Sequence, residues 1–262
     1  HADFLTIFIN PFYKCKKIWC IRNAVDNISF LKISTKIVIR LCSFFSNIIP
    51  NLIIYNSVCG RKSHEAIKYN SSKGIVIENG IRVLYKRDHI CNEMDKIYRI
   101  GTACRNDPAK GLNFMIEALK MLDFDEWHWA VVGEGIPDLF VNLDSSKFEL
   151  TEHISDMSTF YNNIDLFVLP SISEGFSNVL LESMSNGINS IATDVGDNSR
   201  IIGSNNFIVP SQDSSAMAKA ISKNYEIWIQ NQRTSYNIKN VDHIANNFTF
   251  SRSLELFQNE WK

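Results

Sequence analysis

The sequence predicts an α/β fold built on parallel sheets with helices on both faces. Three observations predict it. Short apolar runs alternate with longer amphipathic stretches along the chain. The runs are apolar at nearly every position, as strands buried on both faces are, and do not alternate with polar residues. Several end in Gly, Pro or a charged residue, at the carboxyl ends where open α/β sheets bind ligands.

In chain order, Lys17–Ile21 reads as a strand, Ile33–Phe45 as a helix and Leu52–Tyr55 as a strand. Val58–Tyr69 reads as a helix and Gly74–Ile77 as a strand. Asn79-Gly80 marks a turn, and Ile81–Asp95 is a charged connection that divides the chain. After it come a strand at Lys96–Ala103, a helix at Gly111–Leu122 and a strand at Trp127–Gly133. Lys147–Thr151 is a short strand, Met157–Asn162 a short helix, and Ile164–Leu169 a buried strand closed by Pro170. Asn178–Asn186 is a helix, Ile188–Thr193 a strand, Phe207–Val209 a short strand and Ser214–Trp228 a long helix. Phe248–Trp261 closes the chain.

At 262 residues the chain can form one large or two modest domains. Apolar residues make up 45%, which suits a packed core, and the net charge of −1 gives no global basic field for nucleic acid. Lysines cluster at Lys14, Lys16 and Lys17, and basic residues recur between Arg82 and Arg87; these read as solvated faces. The six cysteines form no CxxC pair, and no His/Cys group has zinc spacing, so no metal site is expected. Scattered thiols point to a reducing compartment. No run of 18 uncharged apolar residues exists; the most apolar region, Leu31–Tyr55, is interrupted by Lys36 and Arg40. Its first part has a helical period with basic residues on one side: a buried amphipathic helix, or one touching a membrane surface. The histidines have no partner that the sequence identifies, and Walker A, G-x-S-x-G, HExxH and clear GxGxxG motifs are absent.

The chemistry concentrates between Ser173 and Glu182. Glu174 and Glu182 flank the turn Gly175-Phe176-Ser177-Asn178-Val179, which opens an apolar helix. A helix start offers unpaired N–H groups and the positive end of its dipole to an anion. Gly175 allows close approach of the backbone. A carboxylate about two turns on can grip a pair of hydroxyls, so phosphate is expected at the turn, sugar at Glu174 and ribose at Glu182. Arg105 and Lys110 follow the Gly101–Ala103 strand end and can pair with phosphate oxygens. Gly133 and Glu134 end the next strand. Asp194 and Asp197 read as turn and capping residues, not catalysts.

These segments, with Asp165–Ser171 and Ala192–Gly196, occur in the order found in family 4 retaining glycosyltransferases, and the chain resembles the donor domain of that family over about residues 96–215. The resemblance implies the GT-B fold, two Rossmann-like domains. Residues 1–95 would form an incomplete acceptor-binding domain, 96–240 the nucleotide-sugar domain, and 241–262 a helix crossing back to the first. His1 and Asn23 resemble the acceptor side, with Asn23 where the family often has a His; Asn205-Asn206 stand where Gly is usual. The family's first strands and glycine-rich acceptor loop have no counterpart, as though roughly 80 residues were missing ahead of His1.

The resemblance also implies roles. Arg105 and Lys110 would neutralise the donor diphosphate as a leaving group. The backbone around Gly175, Phe176 and Asn178 would hold phosphates and sugar, Glu174 the sugar hydroxyls and Glu182 the ribose. Transfer would retain configuration and need neither metal nor cofactor. The donor would be a UDP- or GDP-sugar, and the acceptor a saccharide or lipid-linked saccharide of bacterial surface polysaccharide assembly, such as O-antigen, capsule or lipopolysaccharide. The place would be the cytoplasm, with peripheral contact at the inner face of the membrane. The alternatives are a non-catalytic nucleotide-binding remnant and, third, an epimerase or phosphorylase of the same fold, for which neither acid/base groups nor a cofactor lysine is evident.

Overall fold

The computed structural model describes residues 2–6, 15–25, 31–82, 97–135, 145–203, 207–230 and 237–261. Two parallel sheets carry the chain. The first has three strands in sequence order: β1 (Ile18–Ile21), β2 (Leu52–Tyr55) and β3 (Gly74–Val76). Around it lie α1 (Ala2–Leu5), α2 (Ile33–Phe45) and α3 (Val58–Ala66).

β2 is buried at all four positions because each face of the sheet is covered. Ile53 and Tyr55 point with Trp19 and Ile21 toward Cys42 of α2 and Tyr69. Leu52 and Ile54 point the other way, with Ile77. The helix expected to reach Tyr69 ends at Ala66, because Lys68 takes a left-handed turn with φ 73°. The turn sends Tyr69 back into the core, edge-on to buried His64 with ring centroids 4.8 Å apart.

The second sheet has six parallel strands in the order β6-β5-β4-β7-β8-β9. They are β4 (Tyr98–Ala103), β5 (Trp127–Val132), β6 (Phe148–Thr151), β7 (Leu166–Leu169), β8 (Asn189–Thr193) and β9 (Phe207–Val209). The chain winds outward from β4 in both directions, so the switch point lies between β4 and β7. Alternate residues feed two cores. Ile100, Trp129, Leu166, Val168 and Ile191 pack under α4 (Leu112–Lys120) and α8 (Ser214–Gln230). Phe167, Leu169 and Ala192 pack under α5 (Met157–Asn162), α6 (Asn178–Ser185) and α7 (Asn198–Ile202). α9 (Ile238–Asn247) adds Ile244 to that second core, and α10 (Phe250–Trp261) follows. The sequence pattern did not reveal α7 or α9.

Contacts between the two sheets are specific. Ile81 N–H donates to Phe248 O at 2.9 Å, and Phe250 N–H donates back to Ile81 O at 3.0 Å. Phe257 of α10 packs on the Leu52–Ile54 face of the first sheet, and Ser253 Oγ donates to Glu78 O. Arg200 of α7 pairs with Glu78 at 2.7 Å. Asp197 stands at the N-cap position of α7 but does not cap that helix with its side chain. Its carboxylate instead accepts from Val58 N at 2.7 Å and Cys59 N at 2.8 Å, the first turn of α3. The turn residue expected from sequence thus joins the sheets.

Candidate nucleotide-sugar site

A cavity of about 550 Å³ opens at the carboxyl ends of β4, β5 and β7. Arg105, Lys110, Gly133, Glu134, Glu174, Phe176, Ser177, Asn178, Val179 and Glu182, all expected from the sequence, line it. Gly175 sits between two of them. His1 and Ser204–Asn206 lie outside the described residues.

Each wall has a local cause. β4 ends at Ala103, and the chain continues through Cys104 to Arg105, which is exposed at the rim. Asp107 caps a 3₁₀ turn at Pro108–Lys110, its carboxylate accepting from Ala109 N at 2.9 Å. That turn sets Lys110 toward the cavity floor. Gly133 has φ 151°, and a Cβ there would stand 1.7 Å from Cys104 O. Only glycine lets β5 turn away so close to the end of β4.

Lys110 and Glu174 are one unit. Lys110 Nζ donates to Glu174 Oε1 at 2.5 Å, and Ser171 Oγ donates to the same oxygen at 2.7 Å. The side chains are 20% and 11% exposed, so the pair is largely desolvated yet open to the cavity. The sequence indicated both residues but neither their pairing nor the part played by Ser171, which contacts Glu174 from the end of β7.

α6 begins beside this pair. Ser177 occupies its N-cap position without a side-chain hydrogen bond to the helix, so the first-turn N–H groups are not capped from there. Phe176 turns its ring into the core against Phe248, centroids 5.9 Å apart, and offers a ligand chiefly its backbone. Asn178 Oδ1 accepts from Asn79 Nδ2 at 2.8 Å, tying the helix start to the first sheet.

Glu182 is the fifth residue of α6, little more than one turn in and not two. Tyr161 OH of α5 donates to its Oε2 at 2.9 Å. Burial raises the Glu182 carboxyl above its ordinary range, and the Tyr161 bond opposes that rise. Burial and the neighbouring carboxylate both raise the Tyr161 phenol. Nothing in the spacing of Tyr161 and Glu182 announced this contact. Cys104, on the cavity wall, has its thiol pushed up to about 12 by burial, with Lys110 partly offsetting the effect.

Asn23 follows β1 and approaches the loop around Gly175 from the other side. A Cβ on Gly175 would lie 3.2 Å from Ala24 N and 3.4 Å from the Asn23 Cα. Gly175 O accepts from Asp197 N at 3.0 Å, so the loop touches the residue that binds α3. A second cavity, about 320 Å³, shares Asn178 and Glu182 and extends between Arg22, Asn79 and α10. Among the described residues no group of three or more His, Cys, Asp or Glu side chains could hold a metal ion, and no helix is long and apolar enough to cross a membrane.

Two parallel-sheet units with a cleft at the carboxyl ends of the second define an α/β protein of the GT-B type. The chain belongs to the glycosyl transferases group 1 family, whose profile matches residues 96–226, half of its length. It is 25% identical over 197 residues to the capsular polysaccharide biosynthesis glycosyltransferase CapM of Staphylococcus aureus, covering 68% of this chain and 50% of that protein. It is 28% identical over 173 residues to the uncharacterized glycosyltransferase MJ1178 of Methanocaldococcus jannaschii, covering 58% of this chain and 48% of that protein. The crystal structure of Anabaena HepE in complex with UDP superposes with a TM-score of 0.83 at 16% identity, covering 98% of this chain and 75% of that one. The chain spans about half the length of the curated relatives it matches.

Proposed function

We propose that the chain serves transfer of a sugar from a nucleoside-diphosphate sugar to a saccharide or lipid-linked acceptor, with retention of configuration, in surface polysaccharide assembly. The observation that carries this is the Lys110–Glu174–Ser171 cluster beside the start of α6, in the cavity that Arg105 and Glu182 also line. Likeness to a capsular polysaccharide glycosyltransferase supports the pathway class.

In this reading residues 96–240 bind the donor, residues 1–95 face the acceptor, and 241–262 return to the first sheet; the packing of Phe257 there supports the division. The diphosphate lies across the first turn of α6 and between Arg105 and Lys110. These cations and the helix N–H groups stabilise charge on the leaving diphosphate, so the reaction needs no metal ion. As Lys110 turns to phosphate, Glu174 is released toward the sugar hydroxyls. Glu182 accepts from the ribose diol.

Transfer forms a bond from the acceptor oxygen to the anomeric carbon as the bond to the diphosphate oxygen breaks, on the same face of the sugar. The acceptor proton passes to the departing phosphate oxygen. Asn23, opposite Gly175, lies on the acceptor side.

Calorimetric titration with UDP, GDP and ADP tests the donor site, beside Glu182→Ala. Saturable binding of one diphosphate, weakened in the variant, is expected. A folded chain that binds none of the three overturns the assignment.

A further inference from the structure

Three polar side chains join the first sheet to the start of α6, and the first of them sets the direction of every bond. Arg22 follows β1 and Asn79 follows β3, so their contact spans the carboxyl end of β2, the strand between them. Arg22 Nη2 donates to Asn79 Oδ1 at 3.0 Å. Asn79 Nδ2 donates in turn to Asn178 Oδ1 at 2.8 Å. Among the described residues no carboxylate pairs with Arg22, and nothing accepts from Asn178 Nδ2.

The two branches of a side-chain amide have nearly the same shape, so its orientation follows from its neighbours. A guanidinium has five donors and no acceptor. The Asn79 branch that meets Arg22 must therefore be oxygen, and the branch that meets Asn178 must be nitrogen. That nitrogen requires an acceptor, so Asn178 turns its Oδ1 toward Asn79 and keeps both N–H groups of Nδ2 for a ligand. Asn178 borders the donor cavity and also the second cavity, which Arg22 and Asn79 line. Two side-chain donors at the first residue of α6 add to the backbone N–H groups that Ser177 leaves uncapped, and all of them suit an anion. Without Arg22 the two amides are free to turn over together, because the terminal torsion of an amide is broadly two-fold. Asn178 would then offer its oxygen to the anion.

We propose that Arg22 and Asn79 are positioning residues for the donor, holding the Asn178 amide with its N–H groups toward the diphosphate. The inference rests on the sugar-transfer reading and deepens it. It ties the carboxyl end of the first sheet to the phosphate end of a donor bound in the second.

The test is calorimetric titration of the full chain and its variants with UDP, GDP and ADP. Asn178→Ala should weaken binding of the preferred diphosphate about three- to tenfold, as the loss of one hydrogen bond does. Asn79→Asp keeps the shape and still accepts from Arg22, but it presents oxygen to Asn178 and so turns that amide over. It should cost roughly tenfold or more, because an acceptor then faces phosphate. A new carboxylate also repels a diphosphate directly, so the deciding variant combines Asn79→Asp with Asn178→Ala. Once the Asn178 amide is gone, Asn79→Asp should cost less than about threefold further, and Arg22→Ala likewise. Unchanged thermal unfolding midpoints show that the variants are folded. A cost of Asn79→Asp that persists in the Asn178→Ala background overturns the positioning role alone, as does a cost below about threefold for Asn79→Asp by itself. A folded, unsubstituted chain that binds none of the three diphosphates overturns the sugar-transfer reading, and the positioning role with it.

Discussion

Lys110 Nζ lies 2.5 Å from Glu174 Oε1, and each group is the ion partner of the other. The cation that should meet phosphate and the carboxylate that should meet sugar neutralise one another. In the proposed reading a diphosphate would displace one member and thereby free the second. Lys110→Ala should weaken UDP binding about ten- to hundredfold, the equivalent of one charge-assisted hydrogen bond. Turnover of the sugar nucleotide should fall further, on the order of 10²–10³-fold, because the cation acts most on the developing charge. Calorimetry and steady-state kinetics on one preparation check both; weakened binding with kcat unchanged would show that Lys110 only binds.

The Tyr161–Glu182 bond predicts a pH dependence. The Glu182 carboxyl is raised by burial, and the phenol partly offsets this. If Glu182 holds the ribose as proposed, binding needs its ionised carboxylate, so affinity should decline as pH falls through that raised value, earlier than for an exposed glutamate. Stability should run the opposite way. A raised folded-state pKa contributes stability below the unfolded value of 4.5 that is lost as pH rises through the folded value. Tyr161→Phe removes the bond that favours the charged form. The acid limb of the UDP affinity profile should therefore move to higher pH, with affinity at pH 8 reduced only several-fold. An unmoved acid limb in Tyr161→Phe would assign the titration to another group.

Asp197 should matter for stability. It is buried, and both carboxylate oxygens accept from the first turn of α3, as an N-terminal cap does from within its own helix. Asp197→Ala leaves two α3 N–H groups without that acceptor. The expected cost is about 2–3 kcal/mol, combining a lost cap with charge-assisted bonds. Asp197→Ala keeps the backbone N–H that donates to Gly175 O, and Asp197 does not line the cavity, so UDP affinity should change little. Urea unfolding followed by tryptophan fluorescence measures the first effect; a cost under about 0.5 kcal/mol would mean that water replaces the carboxylate without loss.

Much of the fold was legible because strands buried on both faces leave unbroken apolar runs, such as Leu52–Tyr55 and Leu166–Leu169. The cavity wall was legible where short segments carry their own logic, as Glu174–Glu182 does around a helix start. What escaped the sequence was long-range. Tyr161 reaches Glu182 from 21 positions earlier in the chain, and its position depends on how α5 packs. Asp197 read as a turn residue because a capping side chain is expected to serve its own helix, whereas here it serves one 139 positions earlier. α9 escaped because its strong polar face, with buried Val241 and Ile244, leaves only a narrow apolar stripe.

Gly133 offers the most direct test of the geometry that joins β4 to β5. Its φ of 151° is open to glycine and strained for any other residue, and a Cβ would stand 1.7 Å from the Cys104 carbonyl oxygen. The obstacle is backbone, so Gly133→Ala must shift either the Cys104–Arg105 segment or the Glu134 turn. Both line the cavity, and Arg105 is one of its cations. UDP affinity should fall more than tenfold, and stability by roughly 1–3 kcal/mol. Gly135→Ala is the control. Its φ is 72°, but the nearest atom to a new Cβ is the Asn106 Cβ at 3.2 Å, so backbone strain is the main penalty. It should cost about 1–2 kcal/mol in stability with little effect on UDP affinity. If the two variants bind UDP alike, the close approach of Gly133 to Cys104 does not shape the cavity.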